Sequence, residues 1–124
     1  MSERINTFKD LRVYRECCNL DYAIFLRSKS FPREEMYSLT DQIRRSSRAV
    51  GANIAEAWAK RRYPAHFVSK LTDSDGELQE TRHWIGRAMT YGYISEIQSV
   101  EFNRQCDHIG GMLGKMIRNP DDFT

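Results

Sequence analysis

Phe67, Leu71, Ser74, Leu78, Thr81, Ile85 and Ala88 follow one another at alternating steps of four and three residues, three heptads without a slip. A strand repeats every two residues and a helix every 3.6, so this spacing belongs to a helix that buries one face along its whole length. The seam is of the kind that packs in a bundle or coiled coil. It predicts a helix from about Pro64 to Tyr91. Proline suits a first helical position, and Gly92 is the expected left-handed residue just past the end. Small Ser74 and Gly76 are expected to let a neighbour pack closely.

The rest of the chain reads the same way. A first helix is expected over about 8–27, with two apolar stripes: Leu11, Tyr14, Cys18, Tyr22 and Phe25, and Val13, Cys17, Leu20 and Ile24. Two stripes predict more than one buried face, and a monomer would leave one of them uncovered. Ser30-Phe31-Pro32 must end that helix, since proline lacks an N–H and constrains its predecessor. Ser38-Leu39-Thr40-Asp41 resembles a capping box. It opens a second helix over about 39–61, with Leu39, Ile43, Val50, Ile54 and Trp58 inside and Gly51 as a weak point that permits close approach. Ser95-Glu96-Ile97 opens a fourth helix, about 95–118, on a seam of Phe102, Cys106, Ile109, Leu113 and Met116. Asn119-Pro120 stops it, and 119–124 is expected to be a loose tail. Four long helices with short connections, in 124 residues, predict one all-α domain over 1–124, an antiparallel up-down-up-down four-helix bundle.

The chain has no apolar run near the roughly 18–20 residues of a membrane span. Met1-Ser2-Glu3-Arg4 leads into a charged segment, so no signal peptide is expected and the cytoplasm is the expected compartment. Cys17, Cys18 and Cys106 are therefore expected as free, buried thiols. His66, His83 and His108 lack metal-ligand spacing, and Glu80 with His83 is a single carboxylate–histidine pair where a di-metal bundle needs two. No phosphate-binding loop, HExxH or GxSxG motif occurs. The expectation is a non-enzyme without metal or cofactor.

Charge is unevenly distributed. Residues 1–62 carry 13 Lys/Arg against 8 Asp/Glu, a net of +5, and residues 63–124 carry 6 against 9, a net of −3. Either the halves pair with each other, within or between subunits, or the basic half faces nucleic acid. The basic content of helix two is Arg44, Arg45, Arg48, Lys60, Arg61 and Arg62. Trp58 and Tyr63 beside it suit stacking on bases, although packing in the bundle is the simpler expectation for both. A polar and small stripe of Gln42, Ser46, Ala49, Asn53 and Glu56 runs beside the apolar seam. Buried polar groups need partners, so Gln42, Ser46, Asn53 and Glu56 are expected to form a network with Glu77, Glu80 and Arg82 of helix three, facing Arg44 or Arg45. That network either sets helix register or forms a binding site.

This segment resembles the four helix bundle protein family, also called the 23S ribosomal RNA intervening-sequence proteins, to which the accessory variability proteins of diversity-generating retroelements are related. The marks run from Phe8-x-x-Leu11-x-Val13-Tyr14 through Phe31-Pro32-x-x-Glu35 and Leu39-Thr40-x-Gln42-x-Arg44-Arg45-Ser46 to Asn53-Ile54-Ala55-Glu56. They continue in Phe67-x-x-x-Leu71, Gly76 and Glu80. The chain departs from the family pattern at Gly51, Ala57 and Glu77, where Pro, Gly and Ser are usual. The resemblance implies a left-handed antiparallel bundle with no known catalysis, assembled into a ring-like homo-oligomer, commonly a pentamer. The retroelement members bind nucleic acid through a basic surface. The expected function is thus a cytoplasmic, homo-oligomeric binding or scaffold module for structured RNA or other nucleic acid. The alternative is a protein-interaction subunit whose arginines pair with acids.

Overall fold

A computed structural model describes residues 4–123. Four helices carry the fold: α1 (Arg12–Ser28), α2 (Leu39–Ala59), α3 (Pro64–Thr90) and α4 (Glu96–Arg118). No strand occurs among the described residues. The seam of α3 is buried as its spacing requires, from Phe67 through Leu71, Ser74, Leu78, Thr81 and Ile85 to Ala88. Phe102, Cys106, Ile109, Leu113 and Met116 are buried on α4, and Leu39, Ile43, Val50 and Ile54 on α2. These side chains meet Val13, Cys17, Leu20 and Ile24 of α1 in one core.

Contacts set the register pair by pair. Ser46, Val50 and Glu56 of α2 meet Thr81, Ser74 and Lys70 of α3, so these two helices run antiparallel. Ser28 of α1 meets Arg44 of α2, while Cys17 lies against Gly51. Arg82 of α3 pairs with Asp107 of α4 at 2.9 Å, and Leu78 lies against Gly110. The α2–α3 interface is the most extensive and the α1–α4 interface the least.

The helix ends show where the sequence reading must be corrected. Helix one begins at Arg12, not near Phe8. Asp10 accepts the N–H groups of Asn6 at 2.8 Å and Thr7 at 3.0 Å, and Thr7 Oγ1 accepts that of Lys9 at 3.2 Å. This capping box closes a separate 3-10 turn, Phe8–Asp10, after which Leu11 is extended at φ −69° and ψ 128°. The backbone hydrogen bonds from Thr7 and Asn6 hold the Asp10 carboxyl below its ordinary range.

Ser38 does not cap α2 with its side chain. Its hydroxyl donates to Glu35 Oε1 at 2.6 Å, and the same carboxylate oxygen accepts the Leu39 N–H at 3.3 Å. Glu35 therefore satisfies one of the free N–H groups at the helix start and places negative charge at the positive end of the helix. At the same end of the bundle Gly92 takes φ +81°. The N–H of Tyr93 reaches the Ala88 carbonyl at 2.8 Å and that of Gly92 the Met89 carbonyl at 2.9 Å, a Schellman closure of α3. Ser95 and Gln98 cap α4 reciprocally.

Three further expectations change. The segment after α4 is not loose: Pro120–Asp122 forms a 3-10 turn and half-buried Phe123 packs 6.1 Å from Phe67, ring to ring. Gly76 is exposed, with no atom within 4 Å of a Cβ placed there, so only Ser74 serves close packing. The second stripe of α1 is covered unevenly: Leu11 is buried, Tyr14, Cys18 and Phe25 are half-buried, and Tyr22 is exposed.

Cys17, Cys18 and Cys106 are all free; Cys17 and Cys106 are buried as expected, but Cys18 is only half-buried. Burial pushes the Cys106 thiol up to about 11 and the Cys17 thiol higher still.

Candidate nucleic-acid interface

The cations of α2 fall on different faces because successive helical residues turn by 100°. Arg45 points to α3. It pairs with Glu80 and lies 3.5 Å from Glu77 Oε2. That Glu77 oxygen is buried and makes no hydrogen bond, so the guanidinium is its compensation. Glu80 Oε2 also accepts the Trp84 indole N–H at 3.3 Å.

Arg44 and Arg48 point to α1, where the Phe25 ring collects three cations. Lys29 Nζ lies 4.9 Å from its centroid, Arg44 Cζ 5.0 Å and Arg48 Cζ 5.8 Å. Arg44 Nε donates to Ser28 Oγ at 2.7 Å, and Ser28 donates to the Phe25 carbonyl at 2.9 Å. A guanidinium stacked on a ring and held by one hydrogen bond keeps its other N–H donors for an anion. Half-buried Asp21 feels Arg48: its carboxyl is raised by burial and drawn down by Arg48 to a lesser degree.

Lys60, Arg61 and Arg62 follow the last residue of α2. Arg61 stacks on Trp58 at 4.2 Å and donates from Nη1 to the Trp58 carbonyl at 3.0 Å, while Lys60 and Arg62 are exposed. Trp58 packs against the core, as expected, but Tyr63 is exposed, its ring 6.0 Å from that of His66, which corrects the expectation of packing. Arg48 and Lys60 are twelve residues apart, about 18 Å along the axis. The six predicted cations thus form two separate clusters and one ion pair. Phe25, Ser28 and Lys29 belong to the first cluster and were not singled out for it; the i, i+4 spacing of Phe25 and Lys29 was the available signal.

The expected polar network is likewise divided. Ser46 meets Thr81, hydroxyl to hydroxyl, at 3.0 Å inside the core. Glu77 and Glu80 bind Arg45. Glu56 pairs with Lys70 at 2.6 Å, which lowers the Glu56 carboxyl and raises the Lys70 ammonium. Asn53 donates to the Ala49 carbonyl of its own helix at 2.9 Å, and Gln42 lines a surface cavity near Tyr93. Arg82 turns to α4 and faces Asp107. No group of three or more potential metal ligands occurs among the described residues, and no helix there is long and apolar enough to cross a membrane.

The profile of the 23S rRNA-intervening sequence proteins matches residues 9–115. The chain belongs to that family. Among solved structures, a 23S rRNA-intervening sequence protein such as this one resembles a protein of unknown function of the S23 ribosomal protein family from Bacteroides thetaiotaomicron. The two are 27% identical with a TM-score of 0.77, and the match covers 86% of this chain and 95% of the other. A search of curated proteins finds no match. The four-helix architecture implied by the sequence resemblance is therefore that of the 23S rRNA-intervening sequence protein family.

Proposed function

We infer that the protein is a non-enzymatic, cytoplasmic binding module that holds structured RNA against a basic surface. The observation that carries this reading is the state of the predicted cations. Arg44, Arg48, Lys60, Arg61 and Arg62 have no carboxylate within 4 Å among the described residues, whereas Arg45 does. Charge pairing between the two halves of the chain accounts for Arg45 and leaves the other five available for phosphate. The family description sets these proteins beside 23S rRNA, which makes RNA the first ligand to test and DNA the comparison.

Self-assembly supports this use of the surface by repeating it. Tyr22 and Leu26 of α1 are exposed, and Ile97 and Val100 of α4 are exposed close by; cavities sharing Glu101 and Arg104 join Leu26 to Ile97 and Val100. An apolar strip of this kind is suited to a second copy, and the sequence resemblance favours a ring of five. Light scattering on the purified protein measures the assembly.

The test is binding of structured RNA and duplex DNA across a salt series. Phosphate binding predicts affinity that falls steeply with salt. It also predicts that Arg44→Ala with Arg48→Ala, and separately Lys60→Ala with Arg61→Ala and Arg62→Ala, each reduce both the affinity and the salt slope. No binding at low salt overturns the reading. The Arg45 pairing would then favour the alternative, a protein-interaction subunit with no nucleic-acid role.

A further inference from the structure

A second surface has the opposite chemistry. The 3-10 turn Arg33–Glu35 and the closure of α3 meet around an open cup of about 700 Å³. Its walls include Glu34, Glu35, Tyr37, Trp84, Tyr91 and Tyr93. The rings present varied faces: Tyr91 and Tyr93 lie 5.7 Å apart at 60°. Tyr37 is 91% exposed and makes no ring contact among the described residues. A tyrosine kept this exposed buries little of its surface within the chain, so its face is free for a ligand. Glu34 is exposed and has no ion-pair partner among the described residues. Glu35 is fixed by Ser38, Leu39 and Tyr93, and the hydrogen bonds from Ser38 and Tyr93 keep it ionised by lowering its carboxyl pKa.

We propose that this cup binds a cationic side chain, an arginine of an extended basic segment on a partner protein. Aromatic faces attract cations through their quadrupoles, and two carboxylates at the rim supply the countercharge. The chain already uses this chemistry at the edge of the cup, where Arg87 Cζ lies 4.9 Å from the Tyr91 ring. The base of a nucleotide would find rings to stack on, but its phosphate would meet Glu34 and Glu35 at close range, which disfavours it. The cup is independent of the RNA surface: none of the six predicted cations lines it.

The test uses the full chain and a fluorescein-labelled peptide of alternating glycine and arginine, followed by anisotropy. A peptide with citrulline, the neutral isostere, in place of arginine is the control. The variants are Tyr37→Ala and Glu34→Gln, both exposed side chains whose loss is expected to leave the melting temperature unchanged. The arginine peptide is expected to bind more tightly than the citrulline peptide, and each variant to weaken it by roughly three- to tenfold. Equal binding of the two peptides overturns the proposal, as does wild-type affinity in both variants. Loss of oligouridine binding in Tyr37→Ala with peptide binding intact assigns the cup to a nucleobase instead. A change of oligomeric state in the variants with peptide binding intact assigns it to a second copy of this chain.

Discussion

Tyr93 donates its hydroxyl to Glu35 Oε2 at 2.7 Å, across 58 residues of chain. One hydrogen bond thereby ties the turn that starts α2 to the loop that leaves α3. Both partners titrate, and the bond needs Glu35 ionised and Tyr93 protonated. Glu35 is lowered from 4.5 chiefly by Ser38 and Tyr93, so its contribution is present above 4.5 and lost as pH falls through the depressed value. Tyr93 is raised from 10.0 to about 12 by the Glu35 bond, so its contribution is present below 10.0 and lost as pH rises through about 12. Tyr93→Phe is expected to lower the melting temperature by a constant amount between these limits. The difference from wild type should shrink as pH falls below 4.5 and vanish once it is below the depressed Glu35 value, and shrink again above 10.0 and vanish beyond about 12; melting curves across pH measure it.

Inside the bundle, Ser74 donates to the Val50 carbonyl at 2.7 Å with both residues fully buried. That carbonyl also serves the α2 ladder, so the serine adds a bond between helices rather than rescuing an orphan. Ser74→Ala is expected to cost about 1 kcal/mol, read from urea unfolding.

Gly51 sits in the interior of α2 with ordinary helical geometry. A Cβ there would lie 3.6 Å from Cys17 Cβ and 3.6 Å from the Tyr14 ring, which is normal contact. The glycine is therefore not required for the approach of α1, contrary to what its place in the sequence suggests. Gly51→Ala is expected to raise stability by up to about 1 kcal/mol through helix propensity, measured by the same unfolding curves.

Arg45 separates structure from binding. Arg45→Ala leaves a buried Glu77 oxygen with neither a hydrogen bond nor a cation. The expected loss is about 1 kcal/mol of stability, near the small end because Arg45 is half exposed. RNA affinity is expected to stay within about twofold of wild type, in contrast to the Arg44 and Arg48 pair.

These particulars show what periodicity reveals and what it hides. The buried faces of α3 and α4 were legible because burial repeats with the helix, and Phe67 to Ala88 obey the period throughout. Gly92 was legible because one backbone conformation demands it. The cap of α2 was not: Glu35 reaches the Leu39 N–H from four residues back, at the end of the 3-10 turn Arg33–Glu35, and the Ser-x-x-Asp pattern at Ser38 drew attention to the wrong acceptor. The polar network failed for a related reason. Placing Gln42, Ser46, Asn53 and Glu56 along one stripe says nothing of the register across to α3, which sends Ser46 to Thr81 and Glu56 to Lys70. The basic residues were visible as composition, but their division among Phe25, Glu80 and the end of α2 depends on a rotation of 100° per residue.

The unequal helix interfaces also bear on how the chain opens. α2 and α3 are adjacent in sequence, share the most extensive interface and carry the buried Ser46–Thr81 and Ser74–Val50 contacts. Closing that hairpin costs little loop entropy, so it is expected to form the cooperative unit onto which α1 and α4 dock. In native-state hydrogen exchange the amides of Val50, Ile54, Leu78 and Thr81 are expected to report the full unfolding free energy. Those of α1 and α4, joined to each other by the weakest interface, are expected to exchange through a smaller, earlier opening.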